Sequence, residues 1–277
     1  MRERRSLSPP VAIELWREPG ITADMRRASG IITIATTLAI LGLAGAGHAT
    51  VVVQDQAEIA PGIPRLVRAA SSVEGFAPEG WRVEQAVEGD FSRDGRADLA
   101  FVLRKTDPAG IITREYFDPS DINPRIIGVA LGSGTGGGFT LAAQDHRLIP
   151  MRDADGLNMQ DPFEQGLSIM NGALVVQVYL FMSAGGGDAG PYSFRLRYQD
   201  GAVRLIGYDH ANVQRMSGET KTISVNFLTG RMTTATGSIE TDEKTTVVSR
   251  TTTPPLTLDQ IGDAFAFEHD VLNPPAE

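Results

Sequence analysis

Tyr192, Phe194, Leu196 and Tyr198 alternate with Ser193, Arg195, Arg197 and Gln199, and Asp200-Gly201 then interrupts the chain before Val203 and Leu205 resume the apolar phase. A period of two sends successive side chains to opposite faces, so this stretch can bury one face only as a strand. An Asp-Gly pair between two such runs marks a hairpin turn. The device recurs at Asn171-Gly172, between 167–169 and the run 174–181, and at Thr229-Gly230 after Ile223, Val225 and Phe227. The second half therefore reads as antiparallel β structure with one wet face. Helical spacing is confined to two short stretches: 64–74, where Leu66, Val67 and Ala70 share a face, and 258–267. The Thr-rich stretch 229–255 reads as a hairpin of edge strands, because its β-branched residues include Val247 and Val248; a low-complexity tail is the alternative. The expected fold is mainly β, with antiparallel hairpins in a compact sheet assembly or sandwich and one or two short helices.

The first fifty residues bear on compartment. Met25 is a second plausible start, followed by Arg26 and Arg27, an apolar stretch over 31–46, and Gly47-His48-Ala49 as a small-x-small cleavage signal. That order is the layout of a signal peptide over 25–49, with 1–24 as an upstream extension. A membrane anchor would need about 20 apolar residues. This stretch is shorter and ends in small residues, so no stable span is expected once the signal is removed. The remaining 50–277 is expected to form one β-rich domain in the periplasm or outside the cell. The whole chain has no cysteine, which excludes disulfides, thiol nucleophiles and cysteine zinc clusters. Without residues 1–49 it keeps 19 Lys+Arg against 30 Asp+Glu, a formal charge of −11, so nucleic acid is not an expected partner.

Residues 89–104, GDFSRDGRADLAFVLR, carry the most specific motif. Asp90, Ser92, Asp94 and Asp98 surround Gly95 at the spacing of a short calcium loop, with a backbone carbonyl available at Arg96. Calcium takes about six to eight oxygens, and such a loop can supply them from side chains at positions one, three, five and nine. An EF-hand would place Glu at position twelve and continue as a helix. Here that position is Phe101, inside the strand-like run 99–103, and Trp81, Val83 and Val87 mark a strand before the loop. The same carboxylates can also close the loop by Asx turns without an ion.

A strand, acidic loop and strand in this order resembles the FG-GAP or VCBS type repeats of integrin-like propellers. The resemblance implies calcium held by Asp90, Ser92, Asp94, the carbonyl of Arg96, and Asp98. Ser92 departs from the Asp or Asn usual at the third position, which implies a weaker site. Trp81, Asp161-Pro162-Phe163, the FRLRY run at 194–198, Leu205 to Asp209, and Asn226 to Gly230 extend the likeness to a family of small exported bacterial proteins of unknown function that carry one such loop. A single repeat cannot form a complete propeller.

Other motifs carry less. Asp153, Asp155, Asn158 and Asp161 form a second acidic cluster that fits the calcium spacing poorly and reads as a polar turn, or as a neighbour sharing the first ion. Gly132 to Gly138 lacks the Lys-Ser/Thr ending and helix start of a phosphate loop, so it reads as a hairpin connection, as does Gly185 to Gly190. His146, His210 and His269 are scattered, no serine sits in a G-x-S-x-G elbow, and Tyr208-Asp209-His210 is the most suggestive polar group outside the loop, read as a half-buried strand residue with turn-capping neighbours. The function expected is that of an exported noncatalytic protein in which calcium staples a loop, binding an envelope protein or glycan. The alternatives are a hydrolase of envelope carbohydrate or phosphoester and an inhibitor or chaperone-like partner binder.

Overall fold

The computed structural model describes residues 60–134, 137–152, 160–164, 166–182 and 187–273; the expected signal peptide lies outside them. The strands are β1 (Ala69–Ala70), β2 (Trp81–Gly89), β3 (Asp98–Lys105), β4 (Ile111–Arg114), β5 (Phe117–Asp121), β6 (Arg125–Gly132) and β7 (Phe139–Asp145), then β8 (Gly166–Met170), β9 (Ala173–Phe181), β10 (Asp188–Gln199), β11 (Ala202–Gln214), β12 (Glu219–Asn226), β13 (Arg231–Ser238) and β14 (Thr241–Arg250). They form a five-stranded sheet in the order β1-β7-β6-β3-β2, a seven-stranded meander from β14 to β8 that curves as a half-barrel, and the small hairpin β4-β5. The described fold is mainly β and antiparallel with only short helical turns; it is not a propeller.

The five-stranded sheet is buried on both faces, which explains why β3 and β6 read as continuous apolar runs. Leu99, Phe101 and Leu103 of β3 pack with Leu66 and Phe76 of the preceding segment. Ala100 and Val102 point the other way, into a core shared with Val176, Phe194, Leu205, Tyr208 and Val225 of the meander. A segment after β14 seals that core with Leu258, Ile261, Ala264 and Phe267. It is tied to β11 by Leu205 N–H donating to Leu256 O at 2.8 Å.

The edges of the two sheets meet at β2 and β8, where Ile169 packs on Gly89 and Gln85 makes the hydrogen bonds. Gln85 Oε1 accepts from Leu167 N–H at 2.8 Å and its Nε2 donates to Leu167 O at 3.2 Å, so the amide group imitates a neighbouring strand. The approach is close enough that a side chain at Gly166 would strike Gln85 Oε1 at 2.1 Å. A register shift between Val83 and Gln85 inserts Glu84 as an extra residue, and its side chain turns to β3 and β6.

The hairpin turns stand where the dipeptides place them. Asn171-Gly172 and Asp200-Gly201 both have positive φ at the two residues, 52° and 67°, and 53° and 79°, as a type I′ turn requires. The Thr-rich stretch forms β13 and β14, the outer strands of the meander. The helix expected over 64–74 is absent. Gln144 takes up the backbone there, accepting from Leu66 N–H at 2.8 Å and donating to Pro64 O at 3.1 Å. Leu141 N–H donates to Arg68 O at 2.8 Å, so the segment runs extended along β7, and only Val73–Phe76 makes a 3-10 turn. Over 258–267, a 3-10 turn covers Leu258–Gln260 alone, and a wide helical turn follows at Glu268–Leu272.

Candidate functional site

The loop between β2 and β3 is anchored from below. Phe91 is buried at 1% exposure and Asp98, the first residue of β3, at 0%. Asp98 Oδ2 accepts from the amides of Phe91 at 3.1 Å and Ser92 at 2.8 Å, while Oδ1 accepts from Gly132 N–H at 3.2 Å at the end of β6. Burial pushes the Asp98 carboxyl above its ordinary value, against the pull of the Ser92 and Gly132 amides. Gly132 is required here because a Cβ would lie 2.3 Å from Ala97 O.

Asp90 organises the upper half of the loop, accepting from Asp94 N–H and Gly95 N–H, each at 3.1 Å. Asp94 Oδ1 accepts from Arg96 N–H at 2.9 Å and its other oxygen pairs with the Arg96 guanidinium. The chain reverses through positive φ at Arg93 and Gly95. Asp90, Ser92, Asp94 and Arg96 stand in this loop, and Asp98 opens β3 at its end. Their carboxylates are engaged with the loop's own amides, and no three His, Cys, Asp or Glu side chains form a metal-ready group among the described residues. Ser92 Oγ is buried without a hydrogen-bond partner there. The all-oxygen donor set suits a hard cation. An ion held through Asp94 would have to displace the Arg96 guanidinium, and Asp90 and Asp98 would have to share oxygens now accepting from backbone amides.

Asp161 lies elsewhere, in a buried ionic group that sequence reading missed. Arg125 pairs with Glu84 at 2.6 Å and Asp161 at 2.7 Å, and Arg104 with Glu84 at 3.0 Å, Asp161 at 3.1 Å and Asp121 at 3.0 Å. Burial opposes the Asp161 charge, but Arg125 and Arg104 outweigh it and hold the carboxyl below its ordinary range. Its Oδ2 serves both arginines and its Oδ1 accepts from Phe163 N–H at 3.0 Å, while Asp153, Asp155 and Asn158 fall outside the described residues.

On the concave face of the meander, the core-facing phase changes from apolar to polar toward one end. Tyr208 and His210 are followed in that phase by Asn212 and Gln214. Asn212, Lys221, Thr236 and Thr245 are successive cross-strand partners, forming a row from β11 to β14. This row floors an open trough of about 930 Å³ whose sides include Asp188, Glu219 and Glu243. Asn212 Nδ2 donates to Asp188 Oδ1 at 2.8 Å.

Behind the trough, Glu268 gathers three donors. Tyr208 O–H donates to Oε1 at 3.0 Å, His210 Nδ1 reaches the same oxygen, and Lys221 Nζ donates to Oε2 at 3.2 Å. Burial opposes the Glu268 charge, yet His210 and Lys221 keep its carboxyl below its ordinary value. Burial and the nearby carboxylate push the Tyr208 and Tyr192 hydroxyls far upward, so both remain protonated. The Tyr192 ring stacks on His210 with centroids 3.8 Å apart. The reading of Tyr208 as half-buried and of its neighbours as turn caps is therefore corrected: Tyr208 is fully buried in mid-strand, His210 shares its face, and Asp209 pairs with Arg195 on the opposite one. Glu268 was invisible to local motif search because it lies 58 residues from His210. The trough had a usable signal, polar residues entering the buried phase of β11 and β12.

Comparison with family models, curated proteins and solved structures finds no match.

Proposed function

We propose that this is an exported, noncatalytic binding module of the periplasm or extracellular space, whose trough holds an envelope glycan and whose 90–98 loop takes calcium as a structural staple. The observation that carries the reading is the floor row of Asn212, Lys221, Thr236 and Thr245. A wide, open groove with amide, ammonium and hydroxyl groups at strand spacing suits an extended polyhydroxylated ligand. An apolar ligand would want an enclosed, mostly apolar site. The pattern of Arg26, Arg27, the apolar stretch and Gly47-His48-Ala49 supports export. In the loop, Asp90, Ser92, Asp94, the Arg96 carbonyl and Asp98 would hold the ion. It would supply electrostatic closure of the turn, stabilising the native state by mass action.

Titration calorimetry of the full chain against soluble envelope oligosaccharides tests the glycan reading, with Lys221→Ala and Asn212→Ala as variants. Binding that either variant weakens about tenfold, roughly 1.4 kcal/mol, is the expected result. Binding unaffected by both variants, or none to any oligosaccharide, rejects the trough as a glycan site. Release of shortened sugars during the titration would replace the noncatalytic reading with the hydrolase one, for which Asp188 and Glu243 in the trough are the carboxylates to test.

A further inference from the structure

β14 is the last strand of the meander, and every one of its residues is exposed. Its polar backbone groups have a definite phase. Thr251 N–H donates to Gly230 O at 2.9 Å, which makes 230 and 251 a hydrogen-bonded pair in a ladder that matches Arg231 with Arg250. Antiparallel ladders alternate hydrogen-bonded and non-hydrogen-bonded pairs. Thr245, Val247 and Ser249 therefore direct their N–H and C=O groups to β13, and Lys244, Thr246, Val248 and Arg250 direct theirs outward. No described strand pairs with that outer edge. It contains no proline, and its only register shift is confined to the turn end, at Gly237 and Ser238. Natural sheets commonly protect an edge by such devices, by charged side chains or by covering it, and of these β14 carries only the charges of Asp242, Glu243, Lys244 and Arg250.

The charges along β14 favour a particular partner. Asp242 and Glu243 stand near the start and Arg250 at the end. In a two-fold symmetric antiparallel pair, adjacent residue pairs must differ in type, so the axis must pass through a residue facing its own copy. With Thr246 on the axis, Asp242 faces Arg250 of the second copy at both ends, and Lys244 faces Val248. Moving the axis to Val247 sets Lys244 against Arg250, two like charges. Moving it to Thr245 sets Arg250 against Glu240, which lies in the turn outside the strand. Opposite charges directly across a ladder stabilise and like charges destabilise it, so the sequence selects one register and disfavours its neighbour.

We propose that β14 pairs with β14 of a second copy of this chain, antiparallel about Thr246, joining two meanders into one continuous sheet. The outward groups of Lys244, Thr246 and Val248 then find partners, and Val247 gains a neighbour on the concave face. Two troughs would lie side by side across the axis and face the same way.

Sedimentation equilibrium of the full chain tests the pairing, since a single shared edge predicts a reversible dimer whose mass average rises with concentration. Arg250→Asp should abolish the rise by setting Asp against Asp242, and the double exchange Asp242→Arg with Arg250→Asp should restore it. The chain has no cysteine, so single cysteines report register without interference: with a short thiol crosslinker, Thr246→Cys should give covalent dimer and Val248→Cys should not. A monomer at all concentrations overturns the proposal. So does a dimer indifferent to Arg250→Asp, and strongest crosslinking from cysteine at 245 or 247 overturns the register.

Discussion

Arg104 and Arg125 face each other directly across β3 and β6, each side chain only 5% exposed. Two like charges opposite one another in a buried sheet would repel. Here they are held by the same two carboxylates, Glu84 and Asp161, with Asp121 added on Arg104. The Phe163 ring lies 5.4 Å from the Arg125 guanidinium. Glu84 reaches both because the bulge in β2 turns it inward.

Arg125→Met should destabilise the fold by about 3–5 kcal/mol, because it leaves Glu84 and Asp161 buried with one cation between them. A urea denaturation series would show a lower midpoint with little change in slope. A loss under 1 kcal/mol would mean that solvent reaches the group in solution.

Gly128→Ala should cost about 1–3 kcal/mol through overpacking. Gly128 faces Phe101 across the ladder, and an added Cβ would lie 2.3 Å from its ring. Phe101 cannot easily withdraw because it is stacked on Phe76 at 5.0 Å. Reversing the crowding with Phe101→Leu should recover part of the loss in the same denaturation assay.

Calcium should raise the melting temperature, with a hundredfold excess over the dissociation constant worth about 2.7 kcal/mol. Asp94→Ala should remove the rise. Arg96→Ala should enlarge it, since the guanidinium now paired with Asp94 would be gone while the Arg96 carbonyl stays. Melts of the three proteins in calcium and in chelator decide the matter, and flat responses throughout would leave the loop an acidic turn closed by its own amides.

Acid should weaken the closing segment. Glu268 is depressed below its ordinary 4.5, so its contribution is present above that pH and is lost as pH falls through the lower folded value. Asp161, depressed from 3.8, acts in the same sense. Asp98 is raised and acts oppositely, its contribution growing as pH falls through the raised value toward 3.8. Glu268→Gln should flatten the stability profile between pH 5 and 3, roughly the carboxylate range, and Asp98→Asn should steepen it.

What could be read in advance was local. Asp200-Gly201 and Asn171-Gly172 declare their hairpins because both residues of each turn must accept positive φ. The acidic loop declares itself because its residues are within ten positions of one another. Leu66, Val67 and Ala70 misled because helical spacing says nothing of Gln144, which binds the same backbone from 78 residues away. Glu84, Arg104, Arg125 and Asp161 are of the same kind: charges at the ends of apolar strands are visible, and their mutual neutralisation is a property of register and bulge.

The segment that seals the shared core separates forming the ladders from closing the interior. Each sheet is built largely from strands near in sequence, which favours rapid local assembly. Phe267, by contrast, must return to pack against Phe194 at 5.3 Å and Tyr208 at 4.8 Å. Without it, the part of the meander's core face not covered by the five-stranded sheet would be apolar and exposed, a condition that favours aggregation in partly folded chains. Closing the interior is thus the work of aromatic rings rather than of strand pairing, and a chain cut before Leu256 would keep the residues of all its ladders while losing Leu258, Ile261, Ala264 and Phe267 from the core.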